Sequence, residues 1–229
     1  MLQRLNWSRG SEVVGDPCGI RIWPSLYAAG VEHAEKFVSL LSDDPQGVSG
    51  IHVDIMDGVA VPLHSWSIND LRLILDGCPL PLEVHLMVDD IEAAVSSLMD
   101  FNISRLFLHL DDDGVSPDLL TYVRHHEIEA GVAMPIDLEV SRHRDLLRHS
   151  DAILVMTSAA GTPNAAAIGD PFARVREVIR EVDEVGIKPR IEVDGGVTFA
   201  HLPAYAELQV ADAVIGRDFI RNLIQTGRW

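Results

Sequence analysis

Short apolar runs alternate with longer amphipathic stretches along nearly the whole chain. The runs predict strands at Ile20–Leu26, Gly50–Ile55, Leu82–Met87, Arg105–His109, Glu129–Met134, Ala152–Met156, Arg190–Val193 and Ala213–Ile215. The stretches between them predict helices at Val31–Leu41, Ile68–Leu75, Ile91–Phe101, Pro117–His126, Arg142–Arg148, Pro171–Val185, Phe199–Ala206 and Asp218–Gln225. Apolar strands separated by helices imply an α/β protein whose parallel sheet is buried on both faces. Eight such units with no piece left over predict closure into a single (β/α)8 barrel. An open, doubly wound sheet is the alternative. No linker rich in Gly, Ser or Pro divides the chain, so residues 18–229 read as one barrel domain and residues 1–17 as a short N-terminal arm or cap.

Composition narrows the partners. The chain of 229 residues has 35 acidic side chains against 18 basic ones, a net charge of −17. A binder of phosphate backbones needs a basic surface, so nucleic acid is excluded as a partner. The same field opposes anionic membranes, and no apolar run approaches the roughly 20 residues that span a bilayer. An anionic substrate must therefore be held by local dipoles, an arginine or a metal. Two cysteines, Cys18 and Cys78, cannot build a disulfide framework or a cysteine zinc cage. With no signal-peptide core at the N-terminus, a soluble cytoplasmic protein is expected. The only lysines are Lys36, in a helical stretch, and Lys188, just ahead of a strand. Schiff-base chemistry, pyridoxal phosphate attachment and a P-loop all need a positioned lysine, which neither supplies.

Barrel chemistry gathers at the C-terminal ends of the strands. The second strand, GIHVDIMDG, carries His52 and Asp54 two residues apart, hence on one face. The third, LEVHLMV, delivers His85, and the seventh, RIEVDGGV, delivers Asp194. A single strand-end histidine is more often a hydrogen-bonded core residue than a ligand. Two imidazoles and two carboxylates gathered at one mouth form a divalent-metal set. Their mixed nitrogen and oxygen donors suit Zn2+ first, and Fe2+, Mn2+ or Co2+ as well.

The blocks HVDIMDGVAVP, EVHLMV and EVDGGV resemble the signature segments of the ribulose-phosphate 3-epimerase family, with WPSL, LFLHLDD and DAILVM falling in register between and around them. The resemblance runs from about Ile20 to the last helix. It implies a TIM-type (β/α)8 barrel that inverts C3 of a ketose phosphate with one bound divalent metal. It implies His52, Asp54, His85 and Asp194 as metal ligands and Asp54 and Asp194 as the acid–base pair. The chemistry is consistent with that assignment. Inversion needs a base on one face of C3 and an acid on the other, and a divalent ion beside the C2 and C3 oxygens stabilises the enediolate as its charge develops. The two carboxyls then need opposite protonation states. Substrate contacts implied by the resemblance include Ser25, His52 and His85. Met56, Met87 and Met156 either fill gaps in the core or form a dry wall around the enediolate, and the two roles are compatible. Phosphate falls to the backbone at Gly195, Gly196 and Gly216.

The chain departs from the family pattern in three places. TSAAGTPNAAAIGDP stands where a glycine-rich lid follows strand six, and Gly161, Pro163 and Gly169 punctuate it. MPIDL ends strand five, and VPL follows strand two. Arg217 follows Gly216 where the family has a small residue. It either grips phosphate bidentately or turns to solvent at a helix start. The reaction expected is therefore ketose-phosphate 3-epimerisation, with D-ribulose 5-phosphate and D-xylulose 5-phosphate as the default pair. A hexulose-6-phosphate 3-epimerase, interconverting D-allulose and D-fructose 6-phosphates, is the first alternative. A sugar-phosphate-binding pseudoenzyme is the second. A homo-oligomer is expected from the helix-covered exterior of a barrel.

Overall fold

The computed structural model describes residues 18–45, 47–111, 115–162 and 167–229. The expected arm, residues 1–17, and Pro163 of the rebuilt loop lie outside the described residues. Eight strands run parallel: β1 Arg21–Pro24, β2 Ile51–Met56, β3 Leu82–Met87, β4 Ile103–His109, β5 Glu129–Met134, β6 Ala152–Met156, β7 Arg190–Asp194 and β8 Asp212–Ile215. Continuous ladders join them in the order β1-β8-β7-β6-β5-β4-β3-β2. Two isolated bridges, Ile22 with Val48 and Ser25 with His52, bring β1 against β2 and draw the sheet into a ring. The alternation of apolar runs and amphipathic stretches thus becomes the expected barrel rather than an open sheet.

The helices are α1 Leu26–Ala29, α2 Ala34–Asp43, α3 Ile68–Ile74, α4 Ile91–Leu98, α5 Pro117–His125, α6 Arg144–Arg148, α7 Pro171–Val185, α8 Leu202–Glu207 and α9 Arg217–Gln225. Their boundaries follow local capping. Ser67 and Asp70 form a reciprocal capping box at α3. Ser116 and Asp170 cap α5 and α7, each ahead of a proline at the first helical position. The first strand is shorter than its apolar run predicts. Ser25 leaves the ladder after Pro24 and caps α1, a four-residue helix too brief for periodicity to reveal. Short 3-10 turns at Val31–His33, Val140–His143 and Phe199–His201 lead into α2, α6 and α8, so these helices start later than their apolar spacing suggests.

Alternation along each strand divides the core in two. Outward residues such as Val53, Leu86, Leu106, Val132 and Val155 are fully buried beneath the helices. Inside the ring, Phe107, Ala133, Ala152, Leu154, Met156 and Val214 pack as a separate apolar cluster. The rest of the interior is polar and is described below. The seam between β1 and β2 depends on close approach at Gly50. A Cβ there would lie 2.2 Å from the Pro81 carbonyl oxygen and 2.3 Å from the Trp23 ring. Backbone on one side and a packed indole on the other leave no room to yield. Gly50→Ala is expected to lower stability by about 1–3 kcal/mol, read as a fall in the urea midpoint with an unchanged m-value.

Candidate active site

The strand ends bring His52, Asp54, His85 and Asp194 together. One side-chain donor atom from each lies within 4.8 Å of every other. Their assembly follows from register. Asp54 on β2 pairs with His85 on β3, so the carboxyl and imidazole stand side by side on the inner face. Asp194 is the last residue of β7 and reaches the same point across the mouth.

The two histidines present different nitrogens. His52 Nδ1 is 2.7 Å from Glu83 Oε1, and its Nε2 is 3.3 Å from Asp54 Oδ1. With Nδ1–H donated to Glu83, Nε2 is the nitrogen left to face the site. His85 is turned the other way. Its Nε2 is 2.9 Å from His109 Nδ1, so its Nδ1 points inward, 3.3 Å from Asp54 Oδ1. That buried Nδ1 makes no hydrogen bond of acceptable geometry. A buried nitrogen with a neighbour in reach but out of alignment suits a shared cation better than a proton. The donor set therefore fits a divalent ion of the zinc or first-row type.

Electrostatics separates the two carboxyls. Burial pushes Asp194 up to about 6, reinforced by the nearby charge of Asp54 and opposed by His52 and His85. Asp54 is equally enclosed, yet the imidazoles of His52 and His85 outweigh its burial and hold it well below the usual carboxylate range. His52 responds reciprocally: Asp54 and Glu83 outweigh its burial and raise it. Burial and the neighbouring His85 push His109 down to about 3, so it is a neutral hydrogen-bond partner.

Above these residues opens a cavity of about 490 Å³. Asp54 and Asp194 reach its wall, whereas His52 and His85 are fully buried behind them and do not line it. Met56, Met87 and Met156 do line it, and each is at most 4% exposed. Met56 and Met87 pack with Val61 of the loop after β2, and Met156 packs on the interior cluster with Phe107, so all three serve as packing residues that also face the cavity. Ser25 lines it too, its Oγ accepting the Ala28 N–H at 3.4 Å as the cap of α1. Gly195, Gly196, Gly216 and Arg217 complete the lining. Gly195 has φ +111° and Gly196 φ +67°. A Cβ on Gly195 would sit 2.5 Å from Ser158 N and Oγ, so the turn admits only glycine there.

Other polar residues of the site escape a reading of strand ends alone. Thr157 Oγ1 donates to the carbonyls of Asp194 and Gly195, at 3.0 and 2.5 Å, and so fixes the end of β7. Ser158 and Arg221 join the cavity wall. Glu83, Arg105 and Glu192 lie one layer below, and period two was the available signal. Glu83 precedes His85 by two residues and Glu192 precedes Asp194 by two, so both face inward.

Known proteins place the chain in a family. The family model described as ribulose-phosphate 3-epimerase matches residues 21–220. Among curated relatives, ribulose-phosphate 3-epimerase of Treponema pallidum is 27% identical over 89% of this chain and 92% of its own. The protein of the same name from Bacillus subtilis is 27% identical over 86% of this chain and 92% of its own. That from Methanocaldococcus jannaschii is 24% identical over 91% of this chain and 90% of its own. Among solved structures, two mutant tryptophan synthase alpha-subunits of Pyrococcus furiosus superpose with TM-scores of 0.64 and 0.63. At 12% and 11% identity, over 92% of this chain and 91% of theirs, they share the fold alone. Matched from its first strand into its last helix, the chain belongs to the ribulose-phosphate 3-epimerase family and is a (β/α)8 barrel enzyme of the isomerase class.

Proposed function

We propose that the protein is a metal-dependent ketose-phosphate 3-epimerase that inverts C3 through an enediolate. D-ribulose 5-phosphate and D-xylulose 5-phosphate are the default substrate pair. One observation carries the reading. Two aspartates from separate strands reach the same cavity with opposite tendencies to hold a proton, Asp54 ionised and Asp194 raised to about 6. Asp54 takes the C3 proton from one face, and Asp194 delivers one to the other. In the reverse direction the roles exchange. His52, Asp54, His85 and Asp194 would hold one divalent ion, Zn2+ first and Fe2+, Mn2+ or Co2+ otherwise. When bound, such an ion supplies positive charge beside the enediolate oxygens.

The remaining residues bind and shield. Met56, Met87 and Met156 keep water from a carbanion-like centre. Ser25 offers a hydroxyl to the sugar. Backbone N–H groups at Gly195, Gly196 and Gly216, with the start of α9, receive the phosphate, and Arg217 adds a guanidinium. His52 and His85 act on substrate only through the ion, since neither reaches the cavity. A hexulose 6-phosphate is the second reading. Arg217 and Arg221 on one cavity wall favour it, because together they offer a phosphate grip that a longer sugar can reach. The chemistry points to a small-molecule sugar phosphate as partner. Among the described residues no helix is long and apolar enough to cross a membrane.

Proton NMR in D2O tests the reaction. Metal-loaded enzyme is expected to introduce deuterium at C3 of D-ribulose 5-phosphate, and chelation is expected to abolish it. Asp54→Asn and Asp194→Asn are each expected to slow epimerisation by about 10²–10⁴-fold. Epimerisation that survives either substitution overturns the two-aspartate mechanism. Faster exchange with D-fructose 6-phosphate assigns the longer substrate, and binding without exchange of either assigns a pseudoenzyme. Arg217→Ala is expected to raise KM about tenfold with kcat little changed, the loss of one charge-assisted phosphate contact. A stability measurement checks Asp194 without substrate. Its folded value of about 6 exceeds the ordinary 3.8, so it supports the metal-free fold at low pH. That support is lost as pH rises through about 6. The melting temperature of metal-free Asp194→Asn is therefore expected to gain on wild type between about pH 4 and pH 7.

A further inference from the structure

An arginine stands inside the barrel, one layer beneath the candidate metal site. Arg105 on β4 is 2% exposed and lies outside the cavity wall. Its Nη1 donates to Glu83 Oε2 at 2.9 Å and to Glu192 Oε2 at 2.7 Å. Its Nε donates to Glu129 Oε2 at 2.9 Å. The guanidinium lies 5.5 Å from the Trp23 ring centroid and 5.6 Å from that of Phe107, within cation–π range of both. Glu83, Glu192 and the nearby Asp212 have no exposed surface.

The hydrogen bonds of Glu83 give this arrangement a direction. One oxygen, Oε1, takes the Nδ1–H of His52 at 2.7 Å, and the other, Oε2, is held by Arg105. With both oxygens committed, the carboxylate cannot rotate. The His52 ring is thereby held in the orientation that aims Nε2 at Asp54 and the ion position. The same guanidinium nitrogen grips Glu192, two residues before Asp194 on β7. A single cation thus ties the strands bearing His85 and Asp194 to the residue that orients His52.

We infer that Arg105 is a positioning residue for the metal centre, acting through Glu83 to set the orientation of His52. This rests on the metal site proposed above. Arg105 touches neither substrate nor ion. Its effect is to shape the site before any ion arrives, through the hydrogen-bond partner that orients a ligating imidazole.

Co2+ is the probe, with affinity measured by calorimetry and site geometry by visible absorption. Arg105→Met is expected to weaken Co2+ binding by about 10- to 100-fold and to alter the absorption band, while circular dichroism stays that of the folded barrel. Arg105→Lys keeps a cation without the fork and is expected to recover part of the affinity. In a Glu83→Gln background the effect of Arg105→Met on affinity is expected to shrink to less than about threefold, because the route to His52 is already broken. A merely structural arginine would lower melting temperature in both backgrounds and leave the Co2+ affinity of the folded protein unmoved, and that result overturns the inference. Full additivity of the two substitutions also overturns it. Should Arg105→Met fail to fold, Arg105→Lys and its pairing with Glu83→Gln carry the same comparison. A wild-type chain that takes up no Co2+ overturns the metal-site reading and this inference with it. A wild type that binds, with variants that bind equally well, overturns this inference alone.

Discussion

A guanidinium enclosed by a protein interior must be neutralised where it stands. Stripping such a charge of water costs several kcal/mol even after relaxation, and only well-made partners offset it. Arg105 finds them in Glu83, Glu192 and Glu129, from β3, β7 and β5. Those strands are then locked at fixed relative heights. Asp212 on β8 extends the lock through Arg21 at 2.6 Å and the Trp23 indole N–H at 2.8 Å. The half of the barrel interior that carries the site is built on this polar layer, and the other half is closed by Phe107, Ala133, Ala152 and Leu154.

The layer explains why the site above it is ordered without substrate. His52 and His85 each have one ring nitrogen committed, to Glu83 and to His109, so each has one nitrogen left to present. Asp54 sits between the two presented nitrogens and is held ionised by them. Asp194 on β7 is pushed up by its burial and by the charge of Asp54, which the same imidazoles only partly offset. Identical side chains a few ångströms apart thus acquire different proton affinities from what lies behind them, which a two-base inversion requires.

The loops after β7 and β8 line the cavity with glycine. Those at 195 and 196 take positive φ, and at 195 Ser158 leaves no room for a side chain. Gly216 sits ahead of α9, and it lines the cavity together with Arg217 and Asp218 at the start of that helix. Gly161 of the rebuilt loop packs on Val61, where a Cβ would come within 2.6 Å. The loops after β2 and β6 are therefore fitted to each other, and a change in one constrains the other.

The order of elements was legible in the chain because periodicity records burial directly. Period two with apolar faces marks strands, and period near 3.6 marks the helices that cover them. His52, Asp54, His85 and Asp194 were legible for the same reason, as polar residues interrupting apolar runs where a barrel opens. The brief α1 and the 3-10 turns left no periodic trace, and Ser25 reads equally well as strand or cap. What sequence alone determined was therefore the eight-unit alternation, the family and the four residues that gather as a candidate ligand set. Only the tertiary structure decided which nitrogen each histidine presents, which aspartate is the more readily protonated, and that Arg105 reaches Glu83 and Glu192 at once. Those depend on distances between residues 22 and 87 positions apart, and on a local dielectric that exists only once the ring has closed.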